Sequence, residues 1–228
     1  MRETLLREAQ QLGIPLSDAQ LTLLCHFGEA LLEKNKVMNL TAITEPQAVA
    51  TLHFADCLAL LKTEDFRNKK VIDVGCGAGF PGTVLKFGEP SIDLTLLDSL
   101  QKRISWLQET LNSLGVQASC VAARAEEYPM REQFDIATSR AVARLNILSE
   151  LCLPFVKVGG CFLAMKGAAA QEELDEARHA ISVLGGRVEK ITEYPIGDAI
   201  HRVVVIRKVK PTPAQYPRRF AKIKQQPL

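Results

Sequence analysis

Between Val71 and Gly82 the chain reads VIDVGCGAGFPG, a short apolar run around Asp73 that breaks into four glycines, Gly75, Gly77, Gly79 and Gly82, within eight positions. β-Branched residues around one carboxylate favour a buried strand. The glycines after it free the backbone for positive φ and let its N–H groups come close to whatever lies beyond the strand end. In an open parallel sheet that end is where ligands bind.

The chain downstream supplies such a sheet. The β-rich runs KVIDVG, IDLTLLD, ASCVAA, FDIATSR and GCFLAMKG alternate with amphipathic segments such as QKRISWLQETLNSLG, a pattern that predicts right-handed βαβ units. After the helical stretch AAAQEELDEARHAISVLGG, the runs RVEKITEYPI and HRVVVIRKV are joined only by GDAI, which is too short for anything but an antiparallel hairpin. The expected fold class is α/β, a Rossmann-like, mainly parallel seven-stranded sheet finishing in an antiparallel C-terminal hairpin at its edge.

The N-terminal part reads as helical. Ser17 and Gln20 form a capping box with Leu16 and Leu21 placed as a staple, and a second helix start is expected at Thr44, with Pro46 in the first turn and Gln47 closing the box. The chain is thus expected to divide into a helical subdomain over 1–65, a ligand-binding domain over 66–209 and a basic tail over 210–228. Four prolines make the tail read as poorly ordered.

A chain of 228 residues buries about 70 % of its unfolded surface and needs no staple. Its six cysteines lack any C-x-x-C pair and any nearby histidine at ligand spacing, so they read as core residues of a cytoplasmic protein without zinc or disulfides. No stretch resembles a signal peptide or reaches the roughly 18 apolar residues of a membrane span. No metal and no membrane contact are expected, and a monomer is. Seven basic and no acidic residues fall between Arg207 and Leu228; the other 21 basic residues face 26 acidic ones, so the body carries −5. The positive charge is concentrated in the tail.

The glycine spacing narrows the ligand. A dinucleotide fingerprint is G-x-G-x-x-G, whereas here the order is Asp73-x-Gly75-x-Gly77-x-Gly79. This resembles motif I of the class I methyltransferases, which implies S-adenosylmethionine as cofactor. The next strand ends in Asp98, 23 residues after Gly75, where a carboxylate accepts hydrogen bonds from both ribose hydroxyls. The strand after that ends in ARAEE, placing Ala125 and Glu126 where class I enzymes contact adenine. A nicotinamide dehydrogenase and a non-catalytic nucleotide-binding domain remain open on the glycines, and the spacing and the antiparallel finish count against both.

The exit of the fourth strand, ATSRAVARL (137–145), has neither an Asn/Asp-Pro-Pro-aromatic motif nor a Pro-Cys pair, which disfavours exocyclic amines and pyrimidine C5 as methyl acceptors. A nitrogen with a free lone pair, such as guanine N7, needs neither motif, since positioning and electrostatics are the main requirements. NLTAIT, HFADCLAL, VIDVGCGAGFPG, TLLDSLQKR, SRAVARL, AMKG and the terminal YPRR...PL together resemble the RsmG (GidB) family from about residue 20 onward. That resemblance implies methylation of guanine N7 in 16S ribosomal RNA of the small subunit. It places cofactor contacts on Gly75, Phe80, Ala125, Glu126 and Arg140. Where the family commonly has Gly-x-Pro after YPR, this chain has RFAKIK.

Arg140 at the strand exit is the expected catalytic residue, a fixed guanidinium able to hold a carboxylate or phosphate. Gly77, Gly79 and Asp98 complete the expected cofactor set. Lys102, Arg103, Arg124, Arg144 and Lys166 fall near the ligand edge and, with Arg218, Arg219, Lys222 and Lys224, are expected to track RNA phosphates. His53 and Asp56 share one helix face, and N7 chemistry gives His53 no need to act as a base. A small-molecule methyltransferase and an RNA-binding module that keeps only the fold are the rival readings.

Overall fold

A computed structural model describes residues 1–228. Its seven strands are β1 (Lys70–Val74), β2 (Asp93–Asp98), β3 (Ser119–Ala122), β4 (Phe134–Arg140), β5 (Val156–Lys166), β6 (Gly186–Ile196) and β7 (Ala199–Lys208), in the order β3-β2-β1-β4-β5-β7-β6. β1 to β5 are parallel, and β7 runs antiparallel to both β5 and β6. The expected antiparallel finish is therefore present, but the hairpin folds back so that β7 lies inside the sheet and β6 forms the edge. The register Val74↔Leu97 and Asp73↔Thr138 carries the C-terminal ends of β1, β2 and β4 to one side, with the glycine loop between them.

Both faces of the sheet are covered, which explains strands that read as continuous apolar runs. On β7, Val203 and Val205 pack into one core, and Val204 and Ile206 into the other. The first core is shared with α1 (Arg2–Gln11), α2 (Asp18–Met38), α5 (Gly82–Gly88), α6 (Gln101–Ser113) and the helical stretch 46–62. That stretch is α3 (Pro46–Val49), a π-helical turn over Ala50–Ala55, α4 (Asp56–Leu58) and a 3₁₀ turn over Ala59–Lys62. Phe27 is the hub, its ring centroid 5.6 to 6.3 Å from those of Phe54, Phe80, Phe87 and Trp106. The second core holds α7 (Leu145–Cys152), α8 (Ala170–Val183) and α9 (Phe220–Gln225).

The capping box at Ser17 and Gln20 forms, and the Gln20 amide also donates to the Gly88 carbonyl at 2.8 Å, tying α2 to the end of α5. The expected cap at Thr44 does not. α3 starts one residue later, with Glu45 as an N-cap making no side-chain bond and Pro46 already helical, because the fixed φ of proline suits the first helical position, where an N–H would go unpaired in any case. The tail is also more structured than its prolines suggest. The Thr212 N–H donates to Glu132 at 2.9 Å. Arg218 donates through its backbone and guanidinium to the fully buried carboxylate of Glu150 on α7. α9 then seats Ile223 in the core.

Candidate active site

The glycine loop is held from both sides. Asp73, at the end of β1, accepts a bond from the Gly82 N–H at the start of α5 at 2.8 Å, and burial pushes its carboxyl up to about 7. Asp98, at the end of β2, accepts from the Gly77 N–H and the Leu100 N–H, each at 2.9 Å. Gly75 has φ +72°, and a Cβ there would lie 2.5 Å from Cγ2 of Val142, so the protein itself requires that glycine. Gly77 differs. Its φ is +56°, yet a Cβ would meet nothing nearer than the Gly75 carbonyl oxygen at 4.0 Å, so the space before it is left open for a ligand.

That space is a cavity of about 540 Å³, within the range of small-molecule sites. Gly75, Gly77, Phe80, Asp98, Ala125, Glu126 and Arg140 all line it. Gly79 does not; its Cβ position is filled by Thr83 and Leu107 at 2.6 and 2.8 Å, so it shapes the loop from behind. An open glycine, a carboxylate at the next strand end and an apolar-acidic pair at the third are groups that fit a nucleoside with a charged tail.

Arg140 comes to the cavity from the end of β4, with its guanidinium 4.8 Å from the Phe80 ring centroid. Its donors are engaged by the N-terminal segment: Nη1 reaches Asp56 at 3.2 Å and the Leu52 carbonyl at 3.4 Å, and Nη2 reaches His53 Nδ1 at 3.1 Å. Asp56 is buried and also accepts from Tyr194 at 3.1 Å and contacts His201 at 2.7 Å. The His53 ring stacks on Phe80 at 4.6 Å. Burial, and then the Arg140 charge, push its pKa down to about 4, so it is neutral. The π turn that carries His53 belongs to a class often found at functional sites.

The expected basic residues separate into two groups. Arg103, which lies 3.8 Å from Asp98, and Arg124, which donates to Glu126 at 2.5 Å, line the cavity, and Lys102 is exposed on the same first turn of α6. Arg219, Lys222 and Lys224 are exposed on the tail. Arg144 instead pairs with Glu172 and Glu176. Lys166 is nearly buried against Glu173 and the Ala143 carbonyl, and Arg218 holds Glu150. These three neutralise carboxylates of their own fold and lie outside the cavity wall, whereas Arg103 and Arg124 pair with carboxylates inside it.

Other residues in the wall were not singled out from sequence as ligand contacts. Leu40, Thr41 and His53 come from the N-terminal segment, and Phe220 from the tail, where the Arg124 guanidinium lies 4.7 Å from its ring centroid. Tail and body therefore meet at the site, which local patterning does not reveal.

A family model described as rRNA small subunit methyltransferase G matches residues 20–200. Ribosomal RNA small subunit methyltransferase G of Alkaliphilus oremlandii (strain OhILAs) is 47% identical over 237 positions, covering 100% of this chain and 99% of that protein. The protein of that name from Clostridium perfringens (strain 13 / Type A) is 44% identical over 210 positions, covering 89% and 88%. A solved SAM dependent methyltransferase from Aquifex aeolicus superposes with a TM-score of 0.56 at 18% identity, covering 77% of this chain and 97% of that one. P. horikoshii TYW2 in complex with MeSAdo gives 0.56 at 16% identity, with 68% and 62% covered. At such identities the two structures speak to the fold alone.

Proposed function

Since the chain belongs to the rRNA small subunit methyltransferase G family, we propose that its cavity binds S-adenosylmethionine and that the methyl group goes to N7 of a guanine in 16S ribosomal RNA. The observation that carries this reading is the convergence of Gly77, Asp98, Ala125, Glu126 and Arg140 from separate strand ends on one cavity. Asp98 has further lone pairs for the ribose hydroxyls beyond the two loop N–H groups it already accepts. Ala125, Glu126 and Phe220 form the side suited to adenine.

The cofactor supplies an electrophilic sulfonium methyl. The residues do the positioning. His53 is the one imidazole in the wall, and its Nδ1 is engaged by Arg140, so the ring is not free to take a proton from the acceptor. That suits an acceptor that attacks with a lone pair and loses no proton, as N7 does. Arg140 acts as a positioning residue, fastening the N-terminal wall to β4 and keeping a positive charge at the cavity.

Lys102, Arg103 and Arg124 at the rim, continued by Arg219, Lys222 and Lys224, form the surface we assign to RNA phosphates. The cavity is complete within one chain, so a monomer suffices, and a ribosomal substrate implies work in the cytoplasm. No helix is long and apolar enough to cross a membrane. Labelled-methyl transfer offered in parallel to whole small subunits, bare 16S RNA and a metabolite pool tests the reading. Label in either RNA sample supports it, and label confined to the metabolites favours the small-molecule rival.

A further inference from the structure

Thr41 lies in the part of the wall contributed by the N-terminal segment, beside His53. Asn35 clamps its backbone, accepting from the Thr41 N–H and donating to the Thr41 carbonyl, both at 2.9 Å. The polarity of its hydroxyl follows from the neighbours. A guanidinium only donates, so His53 Nδ1, 3.1 Å from Arg140 Nη2, must present a lone pair. The neutral ring then carries its proton on Nε2 and donates it to Thr41 Oγ1 at 2.8 Å. The Ile43 N–H donates to the same oxygen at 3.0 Å. Both lone pairs of the hydroxyl are thereby occupied, and its own proton has no acceptor in the protein. A threonine hydroxyl ordinarily rotates to donate or accept as needed; this one is left able only to donate.

An enzyme acting at N7 meets the edge of the purine that carries it, and both purines offer N7 there. They differ at position 6, where guanine presents an acceptor oxygen and adenine an amino donor. On the reading of the site as a guanine-N7 methyltransferase, we propose that the Thr41 hydroxyl is a fixed donor to O6 of the target base and selects guanine over adenine. An amino group at position 6 would face a donor that cannot reverse, and a base lacking O6 would leave that donor unpaired.

The test uses small subunits reconstituted with 16S RNA carrying either guanosine or 2-aminopurine riboside, which keeps N7 and lacks O6, at the methylated position. The wild-type protein is compared with Thr41→Val and Thr41→Ser. Wild type should favour guanosine in kcat/KM by about tenfold, as expected for one hydrogen bond. Thr41→Ser should keep that ratio and Thr41→Val should bring it near one, with S-adenosylmethionine affinity unchanged in calorimetry. Equal turnover of the two substrates by wild type overturns the assignment even if Thr41→Val fails to fold. So does an undiminished ratio in Thr41→Val, or a loss of cofactor affinity in place of the ratio, which would assign the hydroxyl to the cofactor carboxylate. A wild-type protein that labels neither substrate overturns the methyltransfer reading together with this one.

Discussion

Arg140 and Asp56 form an ion pair across 84 positions of sequence, Nη1 to Oδ2 at 3.2 Å, with both side chains largely withdrawn from water. It joins the end of β4 to the N-terminal helical segment at the cavity, and the same guanidinium reaches His53 with its second arm. Arg140→Lys keeps the charge and loses the fork. A lost charged hydrogen bond costs about 1.5 to 3 kcal/mol, so kcat/KM should fall about ten- to a hundredfold. Wild-type kinetics for both substrates in that variant would remove Arg140 from the site's machinery.

The depressed pKa of His53 makes a pH prediction. Its folded value of about 4 lies below the ordinary 6.5, so between those values the unfolded chain binds the extra proton and stability falls as pH falls. The shift is worth up to about 3 kcal/mol. That stability is fully present above pH 6.5 and lost by pH 4. His53→Asn should flatten the decline in Tm across this window; identical pH profiles would contradict it.

Gly77 separates ligand space from protein packing. In Gly77→Val the side chain meets no protein atom closer than ordinary contact at Cβ, and the φ of +56° costs about 1 to 2 kcal/mol. The variant should therefore remain folded, with a Tm lowered by a few degrees, yet lose measurable S-adenosylmethionine binding in calorimetry. Undiminished affinity would place the cofactor elsewhere.

In the tail, charges with different partners should behave differently. Replacing Arg219, Lys222 and Lys224 by Gln removes exposed cations, and the log–log salt slope for RNA binding should flatten by about two, at 0.7 to 0.9 per phosphate contact. Folding and cofactor affinity should hold. Arg218→Gln instead strands the fully buried Glu150 carboxylate, at a cost of about 3 to 5 kcal/mol. A triple variant with the wild-type salt slope would confine RNA binding to the cavity rim.

This contrast between neighbouring arginines shows where the sequence stops being legible. Gly75, Asp98 and Glu126 could be found because each lies at the end of its own strand, and local patterning locates strand ends. The parallel sheet and its hairpin followed from the same patterning. Arg144, Lys166 and Arg218 look like free cations in one dimension because their carboxylates lie 28, 7 and 68 positions away. Thr41 and Phe220 reach the cavity only through tertiary contacts, and no local period marks them. The prolines of the tail suggested disorder, since a backbone tied down by Glu132 and Glu150 leaves no signature in composition.

The most direct test is the identity of the modified nucleoside. Small subunits lacking the modification are incubated with the protein and methyl-labelled S-adenosylmethionine, and their 16S RNA is digested to nucleosides and separated. The label should run as 7-methylguanosine at one methyl per subunit, and the Gly77→Val protein should transfer none. Label in any other nucleoside, or the same yield from Gly77→Val, would contradict the account.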